Sequence, residues 1–201
     1  MNRLLRVAVL LLLLAPARLP AQRVANPDRY DDTFRKYSKR FFGPAFDWQY
    51  FKAQALAESG LDPTARSRVG ARGVMQLMPG TYAIIKSRRK DLGSIDDPEW
   101  NIAAGIMHER GLYLRWDDAP TLQERVRFMF GSYNAGEGPI LRARKFAREK
   151  KLPESMWTSI ETVAPVVPRW RYTETLPYVR KIEKNHSALR EQPRKVNAAR
   201  H

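Results

Sequence analysis

The chain contains no cysteine. This excludes disulfides, thiolate zinc sites, cysteine nucleophiles and an N-terminal lipid attached through cysteine. Histidine is also scarce, since only His108, His186 and His201 occur and none falls in an HExxH spacing. Metal-binding motifs depend on short, fixed ligand spacings. We therefore expect neither a metal site nor another cofactor.

Acidic residues are few compared with basic ones. The sequence has 21 Asp and Glu against 36 Lys and Arg, which gives a net charge of +15. A basic excess of this size favours anionic partners, such as nucleic acid, acidic envelope polymers or membrane surfaces. Charge alone does not distinguish among these three kinds of partner. The sequence has no recognisable RNA-binding or DNA-binding motif, so we do not expect a nucleic-acid partner.

Long apolar runs are absent except for one short run near the N-terminus, over residues 7–15. A bilayer span needs about 20 apolar residues. Arg3 and Arg6 precede the run, and small residues at 15–17 follow it, as in a secretory signal peptide. We predict a cleaved signal peptide over residues 1–21, with no stable membrane span afterwards. An uncleaved membrane anchor is the alternative. Export favours a cell-wall polymer over DNA as the anionic partner.

The rest of the sequence predicts a single, mainly α-helical domain over residues 22–190 and a basic, disordered tail over 191–201. Apolar residues recur at helical spacing, and we find no internal repeat or domain boundary. Residues 152–171 are rich in proline and are expected to be mostly irregular. Stop and cap signals set the other boundaries, namely Gly43 and Gly136 as stops, Asp97 as a cap and a capping box from Thr121 to Glu124. The predicted helices cover about 30–41, 47–59, a segment from 81, 98–117, 122–135, 139–150 and 174–189.

Glu58 stands out on the second predicted helix. Trp48, Phe51, Ala55 and Glu58 share one face, which is otherwise apolar. Burial and the negative end of the helix dipole both disfavour a charged carboxylate in the last turn. Both effects raise the pKa, as a general acid near neutral pH requires. The pattern alone also allows a partly exposed glutamate that pairs with an arginine.

Residues 70–79 combine two glycines, Gly70 and Gly73, with one amide side chain, Gln76, among methionines. Glycine lets the backbone approach a ligand closely, and apolar walls with a few placed polar groups suit a sugar pocket. Methionines more often simply fill space in a core. The segment is therefore either part of a binding pocket or a core-packed hairpin or loop.

Four groups of residues, taken together, resemble the soluble lytic transglycosylase family and the catalytic domain of membrane-bound lytic transglycosylases. Their order and approximate spacing match along nearly the whole mature chain. They are Glu58-Ser59 with 67–79, residues 97–105, residues 132–136 and residues 174–179. The sequence departs from the family pattern at Val74, Ser132 and Leu176, and the last of these puts the groove near Glu174 in doubt.

The resemblance implies a lysozyme-like helical fold, of the goose-type lysozyme kind, with a groove for peptidoglycan glycan strands. It implies that Glu58 is the lone catalytic acid and base. The other residues that match substrate-binding positions of the family are Ser67, Gln76, Met78, Tyr133, Asn134, Glu174 and Tyr178.

Several of these residues also have simpler interpretations. Ser67 and Asn134 are typical turn residues. Tyr133 closes an apolar stripe and could be ordinary core. Glu174 could serve only as a carboxylate at the start of a helix.

The resemblance also implies a mechanism with one carboxylate, whereas most glycosidases use two. Asp62 is the only other acidic residue near Glu58 in the sequence, and before Pro63 it is typical of a turn. The family chemistry cleaves the bond between MurNAc and GlcNAc and forms a 1,6-anhydro sugar without water. Goose-type hydrolysis and a non-catalytic cell-wall binding module are the alternatives.

Overall fold

The structure is a computed structural model that describes residues 28–191. The predicted signal peptide at 1–21 lies outside the described residues, and so does the predicted tail, apart from Glu191. The described chain is mainly helical, as predicted. Its helices are α1 (Asp31–Phe42), α2 (Gln49–Glu58), α3 (Pro79–Arg88), α4 (Pro98–Arg115), α5 (Leu122–Ala135), α6 (Glu137–Glu149), α7 (Trp157–Val163) and α8 (Tyr172–Glu191), with a short 3-10 helix at Ala164–Val166.

The predicted cap and stop signals account for most helix ends. Asp97 caps α4, because its side chain accepts hydrogen bonds from the backbone N–H groups of the first turn. Thr121 caps α5 in the same way. Gly43 and Gly136 follow α1 and α5 with φ values of 90° and 78°, a left-handed region in which glycine is not strained.

The prediction that residues 152–171 are mostly irregular is wrong, because α7 and the 3-10 helix lie within them. Trp157, Ile160 and Val163 recur at helical spacing and are buried. The predicted reciprocal capping box at Thr121 is only half formed. Glu124 instead accepts a hydrogen bond from the backbone N–H of Trp157, and thereby caps α7.

Helix α8 packs against α2 and α5, while α4 packs against α1 and α5. Helix α2 is short, and its residues from Tyr50 to Ala55 are all buried. Its C-terminus therefore ends inside the fold, between α8 and the loop that follows it. Among residues 28–191, no helix is long and apolar enough to cross a membrane.

The segment after α2 is a loop with two isolated antiparallel bridges, Arg66 with Arg72 and Arg72 with Leu77. No regular β-hairpin forms in this part of the described chain. The fully buried Asn101 of α4 fastens the loop to the helices. Its Oδ1 accepts from the backbone N–H of Met75 at 2.8 Å, and its Nδ2 donates to the carbonyl of Arg72 at 3.0 Å.

Two glycines allow this close seating of the loop on α4. Gly73 has φ +73°, and a Cβ there would lie 2.6 Å from Nδ2 of Asn101. A Cβ on Gly105 would lie 2.8 Å from Cγ of Met75. A side chain at either position would push the loop and the helix apart.

Asn101→Ala should lower the free energy of unfolding by roughly 2–3 kcal/mol, since it leaves the buried backbone N–H of Met75 without its partner and removes the donor that bonds the loop carbonyl of Arg72. Urea denaturation measures the loss. The matched control is Thr162→Ala, which removes an exposed hydroxyl bonded within α7 and should change stability by less than about 0.5 kcal/mol. Equal effects of the two substitutions would contradict the fastening role of Asn101.

Candidate active site

A cavity of about 610 Å³ opens at the C-terminal end of α2. It lies where the loop and α8 meet the last turn of α2. Its polar lining includes two carboxyls, an amide and two basic side chains, which is the character of a binding site for a polar ligand. The lining residues are Leu56, Ala57, Glu58, Ser59, Gly60, Asp62, Thr64, Ala65, Arg66, Gln76 and Lys181.

Glu58 is the last residue of α2 and is half-buried. The next residue, Ser59, ties this helix end to the loop, because its hydroxyl donates to the carbonyl of Val74 at 2.8 Å. The carboxyl thus lies at a fixed point between the helix and the loop. From the sequence, Ser59 has no predicted role beyond its place in the motif.

Gln76 lines the same cavity as Glu58. Its backbone has φ +46°, which is uncommon for a residue other than glycine. Its side-chain Nε2 donates to the carbonyls of Gly73 at 2.9 Å and Ala65 at 3.1 Å. The amide is therefore held rigidly, with its donors used by the loop.

Burial raises the pKa of Glu58 from its ordinary value of 4.5 to about 7. Two weaker effects oppose this rise. The hydroxyl of Tyr178 donates to Oε1 of Glu58 at 2.6 Å, and the ammonium of Lys181 lies nearby. A carboxyl with a pKa of about 7 can both give and take a proton at neutral pH.

Two tyrosines lie next to the Glu58 carboxyl. Tyr178 of α8 hydrogen-bonds it directly, and Tyr133 of α5 donates to the carbonyl of Met75 at 2.7 Å. Burial raises the pKa of both hydroxyls well above the usual value, and the charge of Glu58 raises both further. Both tyrosines are therefore neutral hydrogen-bond donors at neutral pH.

The other predicted binding residues lie outside the cavity lining. Met78 is 42% exposed and precedes α3. Ser67 accepts the backbone N–H of Ala71 at 3.0 Å, which is a turn contact. Asn134 accepts the hydroxyl of Thr175 at 2.9 Å and so joins α5 to α8. Glu174 is exposed and pairs with Arg171 at 3.2 Å. Their roles toward a ligand stay predictions.

Gln54 and Glu109 belong to the site but were not predicted from the sequence. Both side chains are fully buried, and Nε2 of Gln54 bridges Oε1 of Glu109 at 2.6 Å and the hydroxyl oxygen of Tyr178 at 3.1 Å. A signal was present, since Glu109 follows Ile102 and Ile106 on the apolar stripe of α4. A polar residue on a buried stripe is more informative than an apolar one.

Asp62 also lines the cavity, and it forms the turn that its sequence context predicts. Its Oδ1 accepts the backbone N–H of Thr64 at 2.8 Å and the hydroxyl of the same residue at 2.7 Å. Both contacts stabilise a local turn of the Asx type.

The sequence of this chain matches that of a known protein family. Residues 34–155 match the family model described as the transglycosylase SLT domain. The chain belongs to the transglycosylase SLT family. Helix α8, which carries Tyr178, lies beyond the matched residues.

The sequence relatives agree with this assignment. Membrane-bound lytic murein transglycosylase F of Shewanella woodyi is 31% identical over 150 residues, which are 74% of this chain and 30% of that protein. The protein of the same name from Desulfosudis oleivorans is 33% identical over 135 residues, 66% of this chain and 28% of that protein. The chain spans under a third of the length of these relatives.

Solved structures confirm the lysozyme-like helical fold. The 70 kDa soluble lytic transglycosylase from Escherichia coli matches with a TM-score of 0.57 and 26% identity, over 82% of this chain and 24% of that one. A complex of the 70-kDa soluble lytic transglycosylase with bulgecin A matches with a TM-score of 0.58, at the same identity and coverage.

Glu58→Gln should change how stability depends on pH. The folded-state pKa of Glu58, about 7, exceeds the ordinary 4.5, so the folded state holds more protons between these pH values. The stability contributed by the protonated carboxyl is complete below pH 4.5 and is lost as pH rises through about 7. The amide isostere does not titrate and escapes this loss.

The variant should therefore gain up to about 3 kcal/mol on the wild type between low pH and pH 8, measured by urea denaturation across that range. The carboxyls that do not interact with Glu58 titrate alike in both proteins and cancel in the difference. Parallel stability curves would show that burial does not perturb Glu58.

Proposed function

We propose that this protein is a peptidoglycan lytic transglycosylase, which cleaves the β-1,4 bond between MurNAc and GlcNAc without water. The observation that carries the proposal is the half-buried Glu58 carboxyl, which lines a polar cavity and whose pKa burial raises to about 7. Its family and the names of its relatives support the same substrate class.

In the first step, protonated Glu58 gives its proton to the glycosidic oxygen. The bond from that oxygen to C1 of MurNAc breaks, and GlcNAc leaves with a free hydroxyl. The N-acetyl group of MurNAc stabilises C1 in place of an enzyme nucleophile. A carboxyl held neutral by burial is the appropriate donor for this step.

In the second step, the Glu58 carboxylate takes the proton of the MurNAc C6 hydroxyl, and that oxygen closes on C1. The product is a 1,6-anhydro sugar, and Glu58 is protonated again. The hydroxyl of Tyr178 stabilises the transient carboxylate, because a hydrogen bond to the charged form favours it. One carboxyl thus serves as acid and then as base.

The predicted binding residues fit this proposal to different degrees. Gln76 lines the cavity beside Glu58, and its side-chain oxygen is the part of the amide that the loop does not use. Tyr178 hydrogen-bonds the carboxyl, and Tyr133 hydrogen-bonds the carbonyl of Met75 in the loop. Met78 and Glu174 would contact glycan further along the groove, while Ser67 and Asn134 would shape the backbone around it.

Hydrolysis of the same bond is the second candidate, and the position of Asp62 in the cavity lining favours it. An inverting hydrolase needs a second carboxylate that activates water. Oδ1 of Asp62 already accepts two hydrogen bonds from Thr64 and is therefore less available to a water molecule, which favours the non-hydrolytic reaction.

We further propose that the protein acts in the cell envelope after export. The signal-like sequence at 1–21, the basic charge and the relatives' names support this location. Basic side chains at the cavity, Arg66 and Lys181, would favour an anionic glycan over a neutral one. No nucleic-acid partner is proposed.

Glu58→Gln should abolish release of muropeptides from purified sacculi, by at least about a thousandfold, since it removes the only acid and base of the proposed reaction. Circular dichroism and thermal unfolding check that the variant folds. Substantial turnover by the folded variant would disprove the assignment of Glu58.

The products of the wild-type protein should end in 1,6-anhydro-MurNAc, one water lighter than a reducing end, as measured by mass spectrometry. Asp62→Asn, which keeps the acceptor of the turn, should give the same products. Reducing ends from the wild type, together with loss of activity in Asp62→Asn, would favour the hydrolytic alternative.

A further inference from the structure

A buried carboxyl group, Glu109, interacts with the charge of Glu58 but is not used by the proposed reaction. It comes from α4, has no exposed surface and touches Nε2 of Gln54 at 2.6 Å. Gln54 is equally buried and lies one helical turn before Glu58 on α2. Polar groups buried this completely are costly unless they are hydrogen-bonded.

The hydrogen bonds of this cluster have a defined direction. The hydroxyl of Tyr178 donates its proton to Oε1 of Glu58, so its oxygen is left to accept. Nε2 of Gln54 donates to that oxygen at 3.1 Å and uses its other hydrogen toward Glu109. The chain of donors therefore runs from Gln54 through Tyr178 to Glu58, and Glu109 holds the amide in this orientation.

This arrangement favours the neutral, protonated form of Glu109. Burial raises its pKa well above the usual value, and the charge of Glu58 raises it further. Within residues 28–191, Oε2 of Glu109 and Oε1 of Gln54 have no hydrogen-bond partner. A negative charge on Glu109 would be compensated only by the amide of Gln54, and that is too little for a buried carboxylate.

We propose that Gln54 and Glu109 form a positioning pair, which fixes the hydroxyl of Tyr178 as a donor to Oε1 of Glu58 and leaves Oε2 to carry the transferred proton. Glu109 stays protonated throughout and touches no substrate. The inference rests on the proposed function for its kinetic effect, but its effect on the ionisation of Glu58 does not depend on that function.

Other ionisable groups line the cavity beside the Glu58 carboxyl or interact with it, and the test leaves them unchanged. They come from the loop, α5 and α8. They are Asp62, Arg66, Tyr133, Tyr178 and Lys181.

Two single variants, Gln54→Leu and Glu109→Leu, each remove one residue of the positioning pair. Each should lower kcat on sacculi by about tenfold, the loss expected for one hydrogen bond that matters in the transition state, with KM unchanged. Each should also lower Tm, because the surviving partner is left buried and unpaired. Ile160→Val, a core change in α7, is the matched control and should lower Tm without changing kcat.

The double variant Gln54→Leu/Glu109→Leu separates positioning from stability. It removes both polar partners, so Tm should recover above that of either single variant. Its kcat should stay about tenfold low, because both residues act through the same hydrogen bond. Recovery of kcat together with Tm would show that the pair is only structural, and would overturn the proposal.

Glu109→Gln mimics the neutral acid and still accepts from Gln54. It should restore most of the kcat that Glu109→Leu loses, and its pH profile should match the wild type. If Glu109→Gln is as inactive as Glu58→Gln, then Glu109 reacts as a carboxylate, and the positioning proposal is wrong.

The pKa of Glu58 can be measured in the absence of any glycan. Carboxyl carbon-13 NMR follows the titration of Glu58, whose resonance is the one missing in Glu58→Gln. Its midpoint should move to higher pH in Gln54→Leu, Glu109→Leu and the double variant, since the carboxylate loses a fixed donor. An unchanged midpoint would overturn the pair's role, even if the wild type proves to cleave no peptidoglycan.

Discussion

The hydrogen bond from Tyr178 to Glu58 is the contact on which the site depends. It joins α8 to the end of α2. Through it, the hydroxyl of Tyr178 directly contacts a carboxyl that burial would otherwise keep neutral. Too little burial would leave an ordinary carboxylate, which cannot act as an acid at neutral pH. Too much would prevent the carboxylate from forming when it must act as a base. The pKa of about 7 reflects the balance between burial on one side and Tyr178 with Lys181 on the other.

The scaffold maintains the pKa of Glu58 because it holds both the loop and the end of α2 rigid. Asn101 fastens the loop to α4, and Ser59 fastens the end of α2 to the same loop. The loop in turn positions Gln76, in a strained backbone conformation that the surrounding contacts impose. A shift in any of these contacts would change the hydration of Glu58, and with it the pKa.

Local signals in the sequence predicted what depends on local physics. The cap at Asp97, the stop at Gly136 and the burial of one face of α2 follow from residue types at short spacing. Contacts between distant segments had no such signal, and the bond between Glu58 and Tyr178 crosses 120 positions. The prolines at 153 and 165 suggested an irregular segment, but they lie at either side of α7, which is buried and capped from α5 by Glu124.

The structure also changes the reason for expecting one-carboxylate chemistry. The sequence suggested that a second carboxyl is missing near Glu58, yet Glu109 is close enough for the two charges to oppose each other. Two such groups in a poorly hydrated site do not ionise together. Glu58 ionises first, because it faces the cavity and has both Tyr178 and Lys181 as partners, whereas Glu109 is fully buried beside an amide. The difference in hydration, and not the number of carboxyls, leaves a single acid and base for the proposed reaction.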